Sequence, residues 1–243
     1  MARVRVRQHV NPLANKYAEA IVPPDWSQVY ANPNQPLHLD IGCGWGDFLF
    51  HMANLEPTWN FLGLEIRNPL VDTARQQKKL AGLNNLEYLF CNANNSLAPL
   101  LASLPPHCLA RVSIQFPDPW FKNRHFKRRV VQPEVVEILA KYLRPGGMVF
   151  LQSDVEAVEQ DMCDRFSVAE QNRFSVAEQN RFSIPAFEYI NPEDSSNPEE
   201  KYPGLLSTPN PFPVATEREK STLSRGEPVY RAVFKLISND TLE

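Results

Sequence analysis

Five short apolar runs recur between residues 37 and 153: "LHLDI", "FLGLEI", "LEYLF", "ARVSIQF" and "GMVFLQS". Each has the length and the strand-forming content of a buried strand. The intervals between them read as helices over Asp47 to Asn54, Pro69 to Ala81 and Pro133 to Tyr142. Gly82 follows the second and Pro145-Gly146-Gly147 the third, where helices stop. Strand and helix in alternation predict an α/β chain with a single doubly wound, mostly parallel sheet. Crossovers in such a sheet are right-handed, so ligands gather at the carboxyl ends of its strands. A last apolar run, "PVYRAVFKLI", is expected to return to the sheet and close it.

The first strand leads into "LHLDIGCGWGDFL". Gly42, Gly44 and Gly46 permit a tight strand-to-helix turn and close approach of a ligand to the backbone. The spacing is G-x-G-x-G, not the G-x-G-x-x-G of dinucleotide folds, and no Gly-Lys-Ser/Thr follows to make a phosphate loop. Asp40, just before the turn, would repel a phosphate and attract an ammonium group. The second strand delivers Glu65 about twenty residues on, where an acid accepts from two ribose hydroxyls. Asn92, at the end of the third strand, is positioned for an adenine edge. Ammonium, ribose and adenine together describe S-adenosylmethionine.

Past the fourth strand comes "FPDPWFKNRHFKRR". Pro117 and Pro119 preset the backbone on either side of Asp118. Trp120 offers a plane on which a base can stack. Lys122, Arg124, Lys127, Arg128 and Arg129 place five cations in eight residues of a chain whose formal charge is −3. A local cationic patch on an acidic body predicts a docking site for a polyanion.

Together "LDIGCGWG", "FLGLEIR", "FPDPWFKNRHFKRR", "LQSD" and "ATERE" resemble the bacterial tRNA (guanine-N7-)-methyltransferase family. The resemblance implies a Rossmann-like class I methyltransferase fold over nearly the whole chain. It also implies transfer of a methyl group from S-adenosylmethionine to N7 of guanine 46 in the tRNA variable loop. By position, it makes Asp40, Gly42, Gly44, Glu65, Asn92 and Asp118 donor-binding, and Asp118 the catalytic acid as well. Many members have Asp where this chain has Asn92. Lys122 and Asp154 fall on substrate-contact positions, Arg124, Lys127, Arg128 and Arg129 on the RNA-contacting run. Thr216, Glu217, Arg218 and Glu219 match a T-x-x-E segment that reaches back to the substrate. The rival readings are a methyltransferase acting on another RNA or a small molecule, and a non-catalytic RNA-binding module.

Residues 1–36 read as a basic arm and lead-in, and 37–243 as the methyltransferase domain. Within it, "RFSVAEQNRFSVAEQNRFS" (165–183) is an octad repeat that either lengthens a helix or pushes out a loop. The Pro-, Asn- and Ser-rich stretch 191–220 is expected to be a substrate loop. Cys43, Cys91, Cys108 and Cys163 lack metal-site spacing and are expected to be free thiols, with no metal bound. With no apolar run of membrane-spanning length, the sequence predicts a cytoplasmic protein, a monomer or homodimer, and the resemblance implies tRNA as its partner.

Overall fold

The computed structural model describes residues 10–177, 187–190 and 201–237, with 168–177 as backbone only. Seven strands, β1 (Leu37–Ile41), β2 (Asn60–Glu65), β3 (Leu86–Phe90), β4 (Leu109–Gln115), β5 (Met148–Ser153), β6 (Phe187–Tyr189) and β7 (Tyr230–Leu236), form one sheet in the order β3-β2-β1-β4-β5-β7-β6. The first five run parallel, and β7 pairs antiparallel with both β5 and β6. The parallel sheet expected from the apolar runs is present, and the late run returns as β7.

The helices are α1 (Trp26–Val29), α2 (Asp47–Leu55), α3 (Asn68–Ala81), α4 (Ala93–Ala102), α5 (Pro133–Tyr142), α6 (Glu156–Ala177) and α7 (Glu217–Ser224). Their apolar stripes cover both faces of the sheet. Leu97, Leu100, Val136, Leu139 and Phe166 pack on one face, and Phe48, Met52, Val71 and Ala74 on the other. β1 and β2 are buried along their full length, as strands covered on two faces must be.

α4 was not among the expected helices. Its apolar positions Ala93, Leu97, Leu100 and Leu101 follow the helical period, but an Asn-rich start and Pro99 inside it disguise the pattern. α7 starts inside the stretch expected to be a loop, with the Thr216 side chain accepting from the Glu219 N–H as its cap. The helix α6 carries the octad repeat as far as Ala177. The rest of the repeat, 191–200 of the expected loop and residues 1–9 of the basic arm lie outside the described residues.

The lead-in does not hang free. Tyr17, Trp26 and Tyr30 are buried, Trp26 Nε1 donates to Ser103 Oγ at 2.9 Å, and Tyr30 Oη donates to the Phe61 carbonyl at 3.1 Å. These contacts fasten residues 17–36 to the body, and further up the chain Val10 and Pro12 reach the carboxyl edge of the sheet.

Candidate active site

β1, β2, β3 and β4 all end at the same edge, and there they border a cleft that is partly open to solvent. Gly42, Glu65, Asn92, Asp118 and Arg128 line it, so donor-binding candidates from four successive strand ends meet in one place. The turn that opens the cleft depends on glycine. Gly42, Gly44 and Gly46 all have positive φ, and a Cβ on Gly46 would lie 2.7 Å from the Tyr88 ring.

Asp40 and Gly44 stand behind this wall. Asp40 is 4% exposed, and its Oδ1 accepts from Ser113 Oγ at 2.6 Å and Gln115 Nε2 at 3.2 Å. Burial pushes its pKa up to about 6, opposed by those two hydrogen bonds and reinforced by the Glu65 charge. Glu65 is buried too. Its Oε2 accepts from the Gly44 N–H at 3.0 Å, and its Oε1 accepts from Arg67 Nε at 2.8 Å. Arg67 is the cleft residue that sequence reasoning missed. Its guanidinium holds Glu65 and feels the Asp118 charge, so any ligand hydroxyl that reaches the Glu65 carboxylate must compete with it.

Asn92 caps α4: its Oδ1 accepts from the Asn94 N–H at 3.2 Å. Its Nδ2 donates to the Pro12 carbonyl at 3.1 Å, tying the lead-in across the cleft, where Val10 and Pro12 form part of the wall. Asn95 adds a second tie, Nδ2 to the Tyr17 carbonyl at 2.7 Å. An aspartate could make the cap but could not donate to Pro12. Asn92→Asp is therefore expected to raise hydrogen–deuterium exchange over residues 10–17 and to weaken donor binding about fivefold. Equal exchange in both proteins would rule this out.

Asp118 sits on a turn that is stiffer than its prolines alone require. Phe116 and Trp120 both adopt left-handed φ, +50° and +41°, which costs free energy in a non-glycine residue. Arg129 braces this turn. It is 8% exposed, donates from Nε to the Pro119 carbonyl at 3.0 Å, and pairs with Asp161 of α6 at 2.9 Å. The expected cationic surface is thereby corrected: Lys122, Arg124 and Lys127 are exposed, Arg128 is half-buried over the Trp120 ring, and Arg129 is interior. Phe121, 69% exposed among these cations, is a second aromatic that drew no attention in the sequence.

Asp154 pairs with Arg218, accepting from its Nε at 2.9 Å, and Glu217 is exposed beside them. Glu219 points inward. It is 2% exposed, and it accepts from Arg231 Nη2 at 2.8 Å and Asn210 Nδ2 at 2.9 Å. Thr216 is its cap partner. All four cysteines are free thiols, as expected. Among the described residues no cluster of metal-ligating side chains occurs, and no helix is long and apolar enough to cross a membrane.

This strand order, with a cleft at the carboxyl edge and a closing antiparallel strand, is that of a Rossmann-like α/β fold. A family model described as "Putative methyltransferase" matches residues 34–232. The tRNA (guanine-N(7)-)-methyltransferase of Trichormus variabilis is 56% identical over 97% of each chain. The enzyme of that name from Synechococcus elongatus is 52% identical over 96% of this chain and 97% of its own. The one from Microcystis aeruginosa is 51% identical over 97% of this chain and 100% of its own. The chain belongs to the tRNA (guanine-N7-)-methyltransferase family.

Proposed function

We propose that this chain transfers a methyl group from S-adenosylmethionine to N7 of guanine 46 in the variable loop of tRNA, in the cytoplasm. The observation that carries the reading is the meeting of Glu65, Asn92 and Asp118 in one cleft beside exposed Lys122, Arg124 and Lys127. The names of the relatives support the tRNA guanine as acceptor.

S-adenosylmethionine, when bound, supplies an electrophilic methyl group. Asp40 favours an ammonium from beneath the cleft floor, Glu65 offers acceptors to ribose hydroxyls once Arg67 gives way, and Asn92 and the lead-in border the adenine. The residues present fit such a donor, and the chemistry calls on no metal.

Guanine N7 has a free lone pair and no proton, so no general base is required. What the chain must supply is alignment and charge. Positive charge grows on the purine as the methyl moves, and the carboxylate of Asp118 stabilises it. Its backbone is held by two prolines, two left-handed residues and the Arg129 brace, so little reorganisation accompanies the step. The base must leave its stacking contacts to arrive here, and Trp120 and Phe121 offer aromatic surface at the entrance. Lys122, Arg124 and Lys127 meet the backbone phosphates.

The test is incubation with undermodified tRNA and labelled donor, followed by mapping of the modified nucleoside. Label at N7 of guanine 46, lost when that base is replaced, is the expected result. Label at another nucleotide, or only in small molecules, refutes it.

A further inference from the structure

We propose that Gln115 and Gln152 are positioning residues for Asp40: they join it to the buried Glu219–Arg231 pair, so that the first turn of α7 helps to fix the methyl donor. The proposal rests on the reading of the cleft as a donor site, and deepens it.

The residues concerned lie on adjacent strands in register. Asp40 of β1 faces Ser113 of β4, Gln115 of β4 faces Gln152 of β5, and Gln152 faces Arg231 of β7. Their neighbours Ile114, Leu151 and Ala232 turn to the opposite face and are buried apolar core. A sheet needing only stability there would carry apolar side chains on both faces. This one buries the Gln152 amide and two carboxylates, with Gln115 and Arg231 partly buried beside them.

The hydrogen bonds run from end to end. Arg231 Nε donates to Gln152 Oε1 at 3.3 Å, and Gln152 Nε2 donates to Gln115 Oε1 at 2.7 Å. Gln115 Nε2 then donates to Asp40 Oδ1 at 3.2 Å. Gln152 Nε2 also reaches Glu219 Oε2 at 3.4 Å. An arginine can only donate and a carboxylate can only accept, so the direction of the row is fixed by its ends. Turning either amide over would set oxygen against oxygen or nitrogen against nitrogen, at a cost that burial makes large. Gln152 is wholly buried, while Gln115 lines the cleft itself.

A second arm comes from His38. Burial holds its imidazole neutral, with the pKa down to about 3. Ser113 Oγ spends its proton on Asp40, so it accepts from His38 Nε2 at 3.0 Å.

Glu219 is therefore placed differently from its neighbours in the T-x-x-E segment. Arg218 and Glu217 are exposed and open to RNA, whereas both oxygens of Glu219 are taken inside. Its influence on the reaction runs through Gln152 and Gln115 to the donor acid.

The experiment measures donor affinity by calorimetry from pH 5 to 8 for the full chain, Gln152→Met and Gln115→Met, with thermal midpoints alongside. An ammonium favours ionised Asp40, so wild-type affinity should fall as pH drops through about 6. Of the other titratable groups nearby, the Glu65 charge raises Asp40, the charge of Asp40 in turn acts on Cys43 of the glycine turn and Tyr88 of β3, and neutral His38 reaches it through Ser113. Gln115→Met removes the amide that donates to Asp40 and raises its proton affinity, and Gln152→Met removes the donor that orients the Gln115 amide toward it. Both variants should then bind donor about tenfold more weakly at neutral pH, with the pH midpoint moved upward. A variant that folds with unchanged affinity and midpoint overturns the proposal, and Gln115→Met, at the cleft wall, keeps it testable if Gln152→Met is too unstable. Should the wild-type chain itself fail to bind donor, the donor reading is what falls.

Discussion

Asp118→Asn should weaken donor binding by less than about tenfold and lose about 10²-fold or more in single-turnover methyl transfer to tRNA at saturating donor. The substitution keeps shape and a hydrogen-bond acceptor and deletes one negative charge. In the ground state the guanine is neutral and the positive charge sits on the donor's sulfonium, so loss of the carboxylate weakens donor binding only modestly. As the methyl leaves its sulfur the purine becomes cationic, and the carboxylate matters most then. The Arg67 guanidinium raises the stakes. It lies between Glu65 and Asp118 and opposes a second positive charge unless Asp118 offsets it. Near-normal turnover in Asp118→Asn would show that alignment alone drives the reaction. A large loss that appears only under multiple turnover would point to product release.

Much of this arrangement was legible in the sequence, because the features concerned are local. A strand followed by glycines, an acid twenty residues on and a proline-flanked acid each announce themselves through neighbouring residues, and the parallel sheet brings their ends together without further information. What the sequence did not disclose depends on distant pairing. Arg129 looks like one more cation in a block. Only its contacts with the Pro119 carbonyl and with Asp161, thirty-two residues further along, remove it from the surface. Glu219 looks like an exposed acid at a helix start, and only its pairing with Arg231 across the sheet turns it inward. α7 escaped notice for a related reason. It buries Glu219 and Thr222 rather than an apolar stripe, so periodicity has nothing to register. Asn92 read as an adenine contact, yet its amide spans a helix cap and a carbonyl eighty residues away.

The distinction between surface and brace makes the basic block separable by experiment. Replacing Lys122, Arg124 and Lys127 together by alanine should leave the thermal midpoint almost unchanged, since all three side chains are exposed. It should also flatten the salt dependence of tRNA affinity. Each lost phosphate contact lowers the slope of log affinity against log salt by about 0.7 to 0.9, so the triple variant should lose about two units or more. Donor affinity should not move, because none of the three lines the cleft. Arg129→Ala should behave in the opposite way. Removing it takes away one of the two arginines paired with the partly exposed Asp161 and frees the turn that carries Asp118, so stability and turnover fall together, by about 2 kcal/mol in the case of stability. Its salt slope should match the wild-type chain. Filter binding at four or five salt concentrations, paired with thermal melts, separates the two variants. A triple variant that keeps the full slope would mean that the phosphates are met elsewhere on the protein.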